Sequence, residues 1–389
     1  MSGTRAPRGT GSVRVVDGRH EASYSFTDEM GRRRRRSQRF DTRTAARAWL
    51  RDRTAETAAG RVTDREVTVG EFLVDWLGSL GMAQLEAATI SWYRSAVHKH
   101  IIPVIGGVKL AKLTPVTVEA FLDGKAKSGR LDGKGGLGPA SVRRLAITLG
   151  KALTAAVRAG LLPANPVALA AKPKVPAQDV TADVWTPEHV AMFLEATRTD
   201  RLAPMWRTAT MTGLRLQELA GLGWRDVDLE AGVVSVRRAR TQVDGEIIVK
   251  GPKTPSSRRT VDLDEGTVRV LGRWKVAQLE ERMAAGPAWE SGDWVFTDEL
   301  GRPWRPDGIR YRLQKAVAAA GLPPTDVKGL RHAHATALLK AGVHHKVVQE
   351  RLGHSSSRVT LDVYSAVLPG IQREAVDRLA EMIGSIGGE

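Results

Sequence analysis

Tyr364 raises the most direct chemical question in the sequence, because a tyrosine hydroxyl can act as a nucleophile. It lies ten residues after His354, in LGHSSSRVTLDVYSAVLP, near the end of a short segment with helical apolar spacing. A tyrosine on an amphipathic helix normally packs its ring and leaves its hydroxyl in water, which is the structural alternative. Arg215 raises a second question, because Glu218 follows three residues later and can support the guanidinium from the same helical face.

The charge distribution favours nucleic acid as the partner. The 389 residues include 59 Lys and Arg against 43 Asp and Glu, a net charge of +16. Residues 1–60 alone contain 14 Arg and 7 acidic residues, so the excess is clustered. Clustered positive charge is typical of phosphate binding, and the alternative is a basic surface that maintains solubility.

Composition excludes several other classes. The length predicts about two or three domains, and no apolar run approaches the roughly 18 residues of a membrane span. The segment MSGTRAPRGTGSVRVV lacks the apolar core of a signal peptide, so we expect a cytoplasmic protein. There is no cysteine, which excludes disulfides, a thiol nucleophile and cysteine-based metal sites.

Residues 1–62 predict a small sheet followed by one helix. SVRVV and EASYSFT flank Asp17-Gly18, a type I′ hairpin signal, and RRRRRSQRF predicts a third strand. Thr42 is a candidate N-cap for a helix that ends at Gly60. The arginine run could be a disordered tail or a localisation signal, but between turn signals we favour a sheet face laid into a DNA groove. The candidate DNA-binding residues there are Arg32, Arg33, Arg34, Arg35 and Arg36.

Residues 66–170 carry helical apolar spacing, with helix starts predicted at Thr114-Pro115 and Gly138-Pro139. The glycine-rich stretch LDGKGGLG between them lacks the context of a phosphate-binding loop, so we interpret it as a turn. Residues 171–184 are proline-rich and basic, with Lys172 and Lys174, and predict a linker.

Residues 185–389 predict a mixed α+β domain. TPEHVAMFLEA begins a helix at Thr186, VVSVRRA and EIIVK predict strands joined through a QVDGE turn, and SSRRTVDL predicts another strand. The loop KGPKTPSSRR presents Lys253, and a later helix carries Lys328 and Arg331. A metal site among the histidines is disfavoured, because zinc usually requires three or four convergent ligands.

The order TGLRLQEL, PKTPSSRR, KGLRHAHATALL, ERLGHSS and LDVYSAVLP resembles the tyrosine recombinases, in the branch of the phage and integrative-element integrases. The spacing agrees, with Arg331 23 residues before His354. The resemblance covers nearly the whole chain. It implies an arm-type DNA-binding domain at 1–62, a helical core-binding domain at 66–170 and a catalytic domain with a C-terminal tail at 185–389.

The resemblance implies catalytic roles for Arg215, Lys253, Lys328, Arg331, His354 and Tyr364. Arginine is suited to bind the two non-bridging oxygens of a phosphodiester, because its guanidinium is planar and always charged. His354 would add a third donor, Lys253 would protonate the 5′-oxygen, and Tyr364 would form a 3′-phosphotyrosine. The bond energy is retained, so no ATP, metal or other cofactor is expected.

Lys328 departs from the family pattern, which has histidine three residues before the second arginine. Lysine can donate a hydrogen bond to phosphate but is a poor general base when charged. We therefore expect Lys328 to be a phosphate donor, and the alternative is a basic residue that merely faces DNA.

The expected function is site-specific DNA integration, and excision, of a mobile element by a homo-tetramer on double-stranded DNA. A host bending factor or an excisionase could take part. An apolar stripe over residues 376–386 is expected to link protomers. The alternatives are a type IB topoisomerase, which relaxes supercoils, and a non-catalytic DNA-binding protein.

Overall fold

The computed structural model of the chain describes residues 11–27, 33–58, 67–82, 85–171, 184–251 and 258–353, with short pieces between 376 and 383. The chain forms two compact units, residues 1–176 and 177–389. Their boundary falls within the predicted linker 171–184. Lys172 and Lys174 of that linker lie outside the described residues. Over the described ranges, no helix has the length and apolar character needed to cross a membrane.

The first unit begins with a three-stranded antiparallel sheet in the order β1–β2–β3, formed by Ser12–Val16, Arg19–Thr27 and Arg33–Phe40. Asp17 and Gly18 both have positive φ, 51° and 76°, which confirms the type I′ hairpin. Helix α1 spans Arg43–Ala58, and the Thr42 hydroxyl accepts a hydrogen bond from the Ala45 N–H at 3.2 Å. The predicted helix end at Gly60 lies outside the described residues.

One face of this sheet packs on α1. Ala22, Tyr24 and Phe26 of β2 share this face and are buried, as the two-residue period of a strand requires. Glu21 and Ser23, on the opposite face, are buried as well. The ring of Trp49 on α1 meets that of Tyr24 edge-on, with centroids 5.5 Å apart. The other face therefore carries the polar side chains of the strands.

The described residues between 67 and 171 are mainly helical, as their apolar spacing predicted. Its helices are α2 Val69–Ser79, α3 Ala87–Ser95, α4 Ile102–Ile105, α5 Pro115–Ser128, α6 Pro139–Arg158 and α7 Pro166–Leu169, with a π-helical turn over Ala96–Ile101. The starts of α5 and α6 confirm the predicted ones, and a turn occupies the glycine-rich stretch between them. Leu145, Leu149 and Leu153 of α6 are fully buried and pack in the hydrophobic core of the bundle.

Over its described residues, the second unit combines helices with two small sheets. Its helices are α8 Pro187–Ala196, α9 Ala203–Thr212, α10 Leu216–Ala220, α11 Glu265–Ala285, α12 Pro306–Ala319, α13 Val327–Lys340 and α14 His345–Leu352. Its strands are β4 Val227–Asp228, β5 Val233–Val236, β6 Ala239–Val243, β7 Glu246–Lys250 and β8 Arg259–Asp262. The core centres on the buried rings of Phe193 and Trp206, and α13 packs on α9.

The strand pairing differs from the sequence-based prediction in one place. VVSVRRA is not one strand: β5 ends at Val236 and pairs with β4 and β8, whereas β6 begins at Ala239 and pairs with β7. The physical reason lies at Arg238, which is drawn to the buried carboxylate of Asp226 (Nη2 to Oδ2, 2.8 Å) and to Asp293 at the same distance. The chain leaves the first sheet there and starts a separate hairpin.

Candidate active site

Arg215 is positioned by a tight junction between two helices. Helix α9 ends at Gly213 in the left-handed conformation, with φ +63°, and Arg215 immediately precedes α10. Glu218 accepts hydrogen bonds from both the backbone N–H of Arg215 (2.8 Å) and its Nη1 (2.7 Å). This is the contact that the three-residue spacing predicted.

Glu218 also binds an arginine that the sequence analysis did not single out. Arg259 on β8 donates from Nη1 and Nη2 to the two carboxylate oxygens of Glu218, at 3.0 and 2.9 Å. Both side chains are almost fully buried. Burial alone would raise the pKa of Glu218, but hydrogen bonding and charge from Arg259, and then Arg215, keep it below its ordinary value. The carboxylate is therefore ionised and shared by two guanidinium groups.

Three arginines converge on the C-terminal end of α14. Arg259 Nε donates to the carbonyl of Arg351 (2.7 Å), Arg331 Nη2 to that of Leu352 (2.6 Å) and Arg215 Nη2 to that of Gly353 (2.8 Å). The last carbonyls of a helix have no intrahelical donor, and that end carries partial negative charge. The arginines supply the missing donors. Gly353, the residue before His354, is therefore bound directly to the cluster.

Arg331 is the most deeply buried of the predicted cations whose side chains the structure describes. Arg331 is 8% exposed, and its Nη1 donates to the carbonyl of Gly213 at 2.8 Å. Burial, followed by the positive charge of Arg215, lowers the pKa of Arg331 to about 9. The guanidinium remains positive at neutral pH and is fixed on both sides by backbone oxygens.

His334 and Arg351 form a layer next to Arg331. Arg351 donates from Nε to His334 Nε2 at 3.1 Å and from Nη2 to the carbonyls of Met211 and Asp262. Burial, and then the charge of Arg351, lowers the pKa of His334 to about 4. His334 is thus a neutral acceptor that helps to join α13 to α14.

Lys328 lies on the first turn of α13, with an exposed side chain. It precedes Arg331 by three residues and His332 by four, so the three share one side of the helix. Burial and the charges of Lys328 and Arg331 lower the pKa of His332. Lys328 and Arg331 therefore both act electrostatically on His332.

The remaining predicted residues divide into two groups. Lys253, His354, Tyr364 and Arg32 lie outside the described residues. Arg33 to Arg36 lie on β3, where Arg35 is exposed and donates to Ser23 Oγ at 2.9 Å. The structure thus brings together Arg215, Glu218 and Arg331, and adds Arg259 and Arg351. Lys328 lies one turn before Arg331 on α13. Arg259 follows Arg258 in SSRR, and the only sequence signal for it was a second arginine at the start of a predicted strand.

The arrangement can bind a phosphodiester. A guanidinium carries five N–H donors. Arg215 and Arg331 each use two of these five in the contacts above. The Arg215 side chain is 35% exposed, so a ligand can reach its remaining donors. Preorganised cations of this kind stabilise the charge that develops on a reacting phosphate. Within the described ranges, no three His, Asp or Glu side chains group together to hold a metal ion.

Comparison with known families agrees with this chemistry. The model of the phage integrase family matches residues 184–369, which contain the arginine cluster. The model of the phage integrase N-terminal SAM-like domain matches residues 68–126, within the helical bundle. Together the two matches span more than half of the chain.

Relatives with known names are integrases and recombinases. The chain is 29% identical over 250 residues to the ICEBs1 integrase of Bacillus subtilis, covering 64% of this chain and 67% of that protein. It is 27% identical to a XerC-like tyrosine recombinase of Caldanaerobacter subterraneus, covering 82% and 84%. It is also 27% identical to the integrase of mycobacterium phage D29, covering 97% and 98%.

Two solved structures share the fold. The integrase of the transposon Tn1549, bound to a circular intermediate DNA, superimposes with a TM-score of 0.68 at 19% identity, covering 80% of this chain and 99% of that one. A lambda integrase dimer bound to a core site gives 0.58 at 19% identity, covering 94% and 96%. The chain therefore belongs to the phage integrase family of tyrosine recombinases, which act as DNA strand transferases.

Proposed function

We propose that this chain integrates a mobile element into double-stranded DNA at a specific site, and excises it, through a 3′-phosphotyrosine intermediate on Tyr364. The observation that carries the proposal is the binding of Arg215 and Arg331 to adjacent carbonyls of residues 352 and 353, immediately before His354. Two fixed cations at the start of the segment that leads to Tyr364 suit attack on a phosphodiester.

The proposed reaction is a transfer of one phosphoryl group between two oxygens. The tyrosine oxygen attacks the scissile phosphorus while Arg215 and Arg331 bind the non-bridging oxygens, and His354 adds a third donor. The 5′-oxygen leaves with a proton from Lys253. A 5′-hydroxyl of the partner duplex then attacks the phosphotyrosine and reverses these steps, so no external energy source or cofactor is needed.

Lys328 is proposed to donate a hydrogen bond to the same phosphate. Its exposed position one turn before Arg331 supports this role. Lys328→Ala should slow cleavage of a core site while binding persists. Cleavage at the wild-type rate would reduce Lys328 to a basic residue on the surface.

DNA is proposed to contact all three predicted domains. Residues 66–170 and 185–389 would hold a core site, with Lys172 and Lys174 of the linker 171–184 beside the backbone. Residues 1–62 would bind a separate arm site through Arg32 to Arg36. The DNA in the Tn1549 and lambda integrase structures supports this assignment for the core. The reaction would take place in the cytoplasm, where a host bending factor or an excisionase could take part.

The C-terminal tail is proposed to link protomers into a tetramer on DNA. Val376, Leu379 and Ile383 recur with helical spacing, and each is more than half exposed. Deleting residues 370–389 should leave binding to a single core site intact and weaken assembly of paired sites. Undiminished synapsis by the truncated protein would contradict this role.

Covalent capture tests the proposed function directly. The protein is mixed with fragmented DNA of the host and its element, quenched with denaturant, and the protein-linked fragments are sequenced beside a Tyr364→Phe control. We expect adducts at one or two shared sequences that the control lacks. Scattered adducts would favour relaxation of the topoisomerase type. If salt-sensitive binding gave no adducts even with host extract, the protein would be a non-catalytic DNA-binding protein.

A further inference from the structure

Arg259 occupies a central place in the arginine cluster. Its side chain is 6% exposed, and it belongs to strand β8 rather than to the helical segments that carry Arg215 and Arg331. It donates to both oxygens of Glu218 and to the carbonyl of Arg351. One side chain therefore fixes both the carboxylate that holds Arg215 and the end of the helix that leads to His354.

The charges of these groups explain why a second cation is needed at Glu218. With Arg215 as its only partner, the buried carboxylate would neutralise that guanidinium and hold it against a full negative charge. With Arg259 present, three guanidinium groups and one carboxylate leave an excess of two positive charges. Arg215 can then keep its attraction for a phosphate while Glu218 still sets its orientation.

We propose that Arg259 is a positioning residue for strand cleavage, which offsets the charge of Glu218 and holds the end of α14 so that Arg215 faces the scissile phosphate. This inference rests on the proposed function. Arg259 donates to protein oxygens and acts on the phosphate through Arg215 and the segment before His354.

The test compares two substrates in single-turnover cleavage by the full chain, once the core site is known. One core site carries the ordinary scissile phosphodiester, and the other carries an uncharged methylphosphonate at that position. We expect Arg259→Gln to slow cleavage of the charged substrate by on the order of tenfold to a hundredfold, with binding retained. On the neutral substrate most of this defect should disappear, because there is less charge for Arg215 to neutralise.

A matched control separates electrostatic positioning from loss of folding. Arg238→Gln also removes an arginine from a buried carboxylate, that of Asp226, but outside the cluster. Any decrease in cleavage rate that Arg238→Gln causes should be the same on both substrates. If Arg259→Gln shows the same equal loss, or cleaves the charged substrate at the wild-type rate, the inference is wrong.

Two further variants keep the test decisive if Arg259→Gln folds poorly. Glu218→Gln added to Arg259→Gln removes the uncompensated carboxylate and should recover part of the rate on the charged substrate. Arg259→Lys retains the charge and should be less impaired than Arg259→Gln. Failure of both expectations would overturn the role. The wild type forming no Tyr364 adduct would instead overturn the proposed function itself.

Discussion

In the N-terminal sheet, the side chains of Arg14, Arg19 and Arg39 are 61%, 66% and 50% exposed, whereas that of Arg259 beside Glu218 is 6% exposed. The sheet arginines pair with acids across strands, as Arg14 does with Glu21 at 2.6 Å. The cluster arginines instead donate mainly to backbone carbonyls at helix ends and to one shared carboxylate.

This difference in burial suits the two groups of arginines to different roles, DNA binding for the sheet and catalysis for the cluster. Exposed cations are screened by salt and can follow a DNA backbone by counterion release, without a fixed geometry. Buried cations held by carbonyls are weakly screened and cannot reorient, which suits stabilisation of a transition state. The surroundings of an arginine therefore decide which of the two proposed roles it suits.

The largest expected effect follows from removing a buried cation. Arg331→Gln should slow single-turnover cleavage of a core site by about 10²–10³-fold, because it removes a preorganised donor and a charge from the scissile phosphate. Gel-shift titration should show binding within a few-fold of the wild type. An equal loss of binding and cleavage would mean that Arg331 only attracts DNA, the role proposed for the sheet arginines.

Gly213 tests how closely the cluster is packed. A Cβ at this position would lie 2.6 Å from Leu352 Cδ2 and 2.9 Å from His334 Cδ2, on a backbone with φ +63°. Gly213→Ala should lower the free energy of unfolding by about 3 kcal/mol, from strain and overpacking together. Gly245→Ala is the control, since φ is +87° there but no described atom beyond the adjacent residues lies within 4 Å of an added Cβ. Equal shifts in thermal unfolding for the two variants would exclude a packing contribution at Gly213.

His334 predicts a pH dependence of stability. Its pKa is about 4 in the folded chain against an ordinary value of 6.5, so below pH 6.5 the unfolded chain takes up a proton that the folded chain does not. The free energy of unfolding should therefore fall as the pH falls, by about 2 kcal/mol between pH 7 and pH 5 from this residue.

Amide hydrogen exchange in α13 at the two pH values measures this loss. His334→Gln, which does not titrate, should show a smaller decrease between pH 7 and pH 5 than the wild type. If the two proteins lose protection in parallel, other groups account for the acid sensitivity of this region.

The smallest effect is expected in the sheet. Replacing Arg35 with alanine should lower the slope of log affinity against log salt by about 0.9 if it contacts one phosphate, and leave core-site cleavage unchanged. Arg198→Ala is the control, because that side chain is 72% exposed in the other unit and pairs with Glu195. An unchanged salt slope for Arg35→Ala would remove this residue from the DNA-binding face.

Local features of the fold could be predicted from the sequence. Asp17-Gly18 has few options other than a tight turn with positive φ, and Thr114, Thr186 and the prolines after them can begin helices without help from distant residues. The Arg215–Glu218 contact was also predictable, because a spacing of three residues at the start of a helix places the two side chains next to each other. The division of VVSVRRA into β5 and β6 was not, since it depends on Asp226 and Asp293.

The sequence by itself determined which residues could do chemistry and in what order, because motif spacing and residue type are local properties. Only the tertiary structure decided how charge is distributed among them. Arg259 reaches Glu218 across 41 residues, Arg331 reaches Gly213 across 118, and Arg215 reaches Gly353 across 138. Hydrogen bonds of that range depend on how α9, α13, α14 and β8 pack, and no periodicity along the chain encodes them.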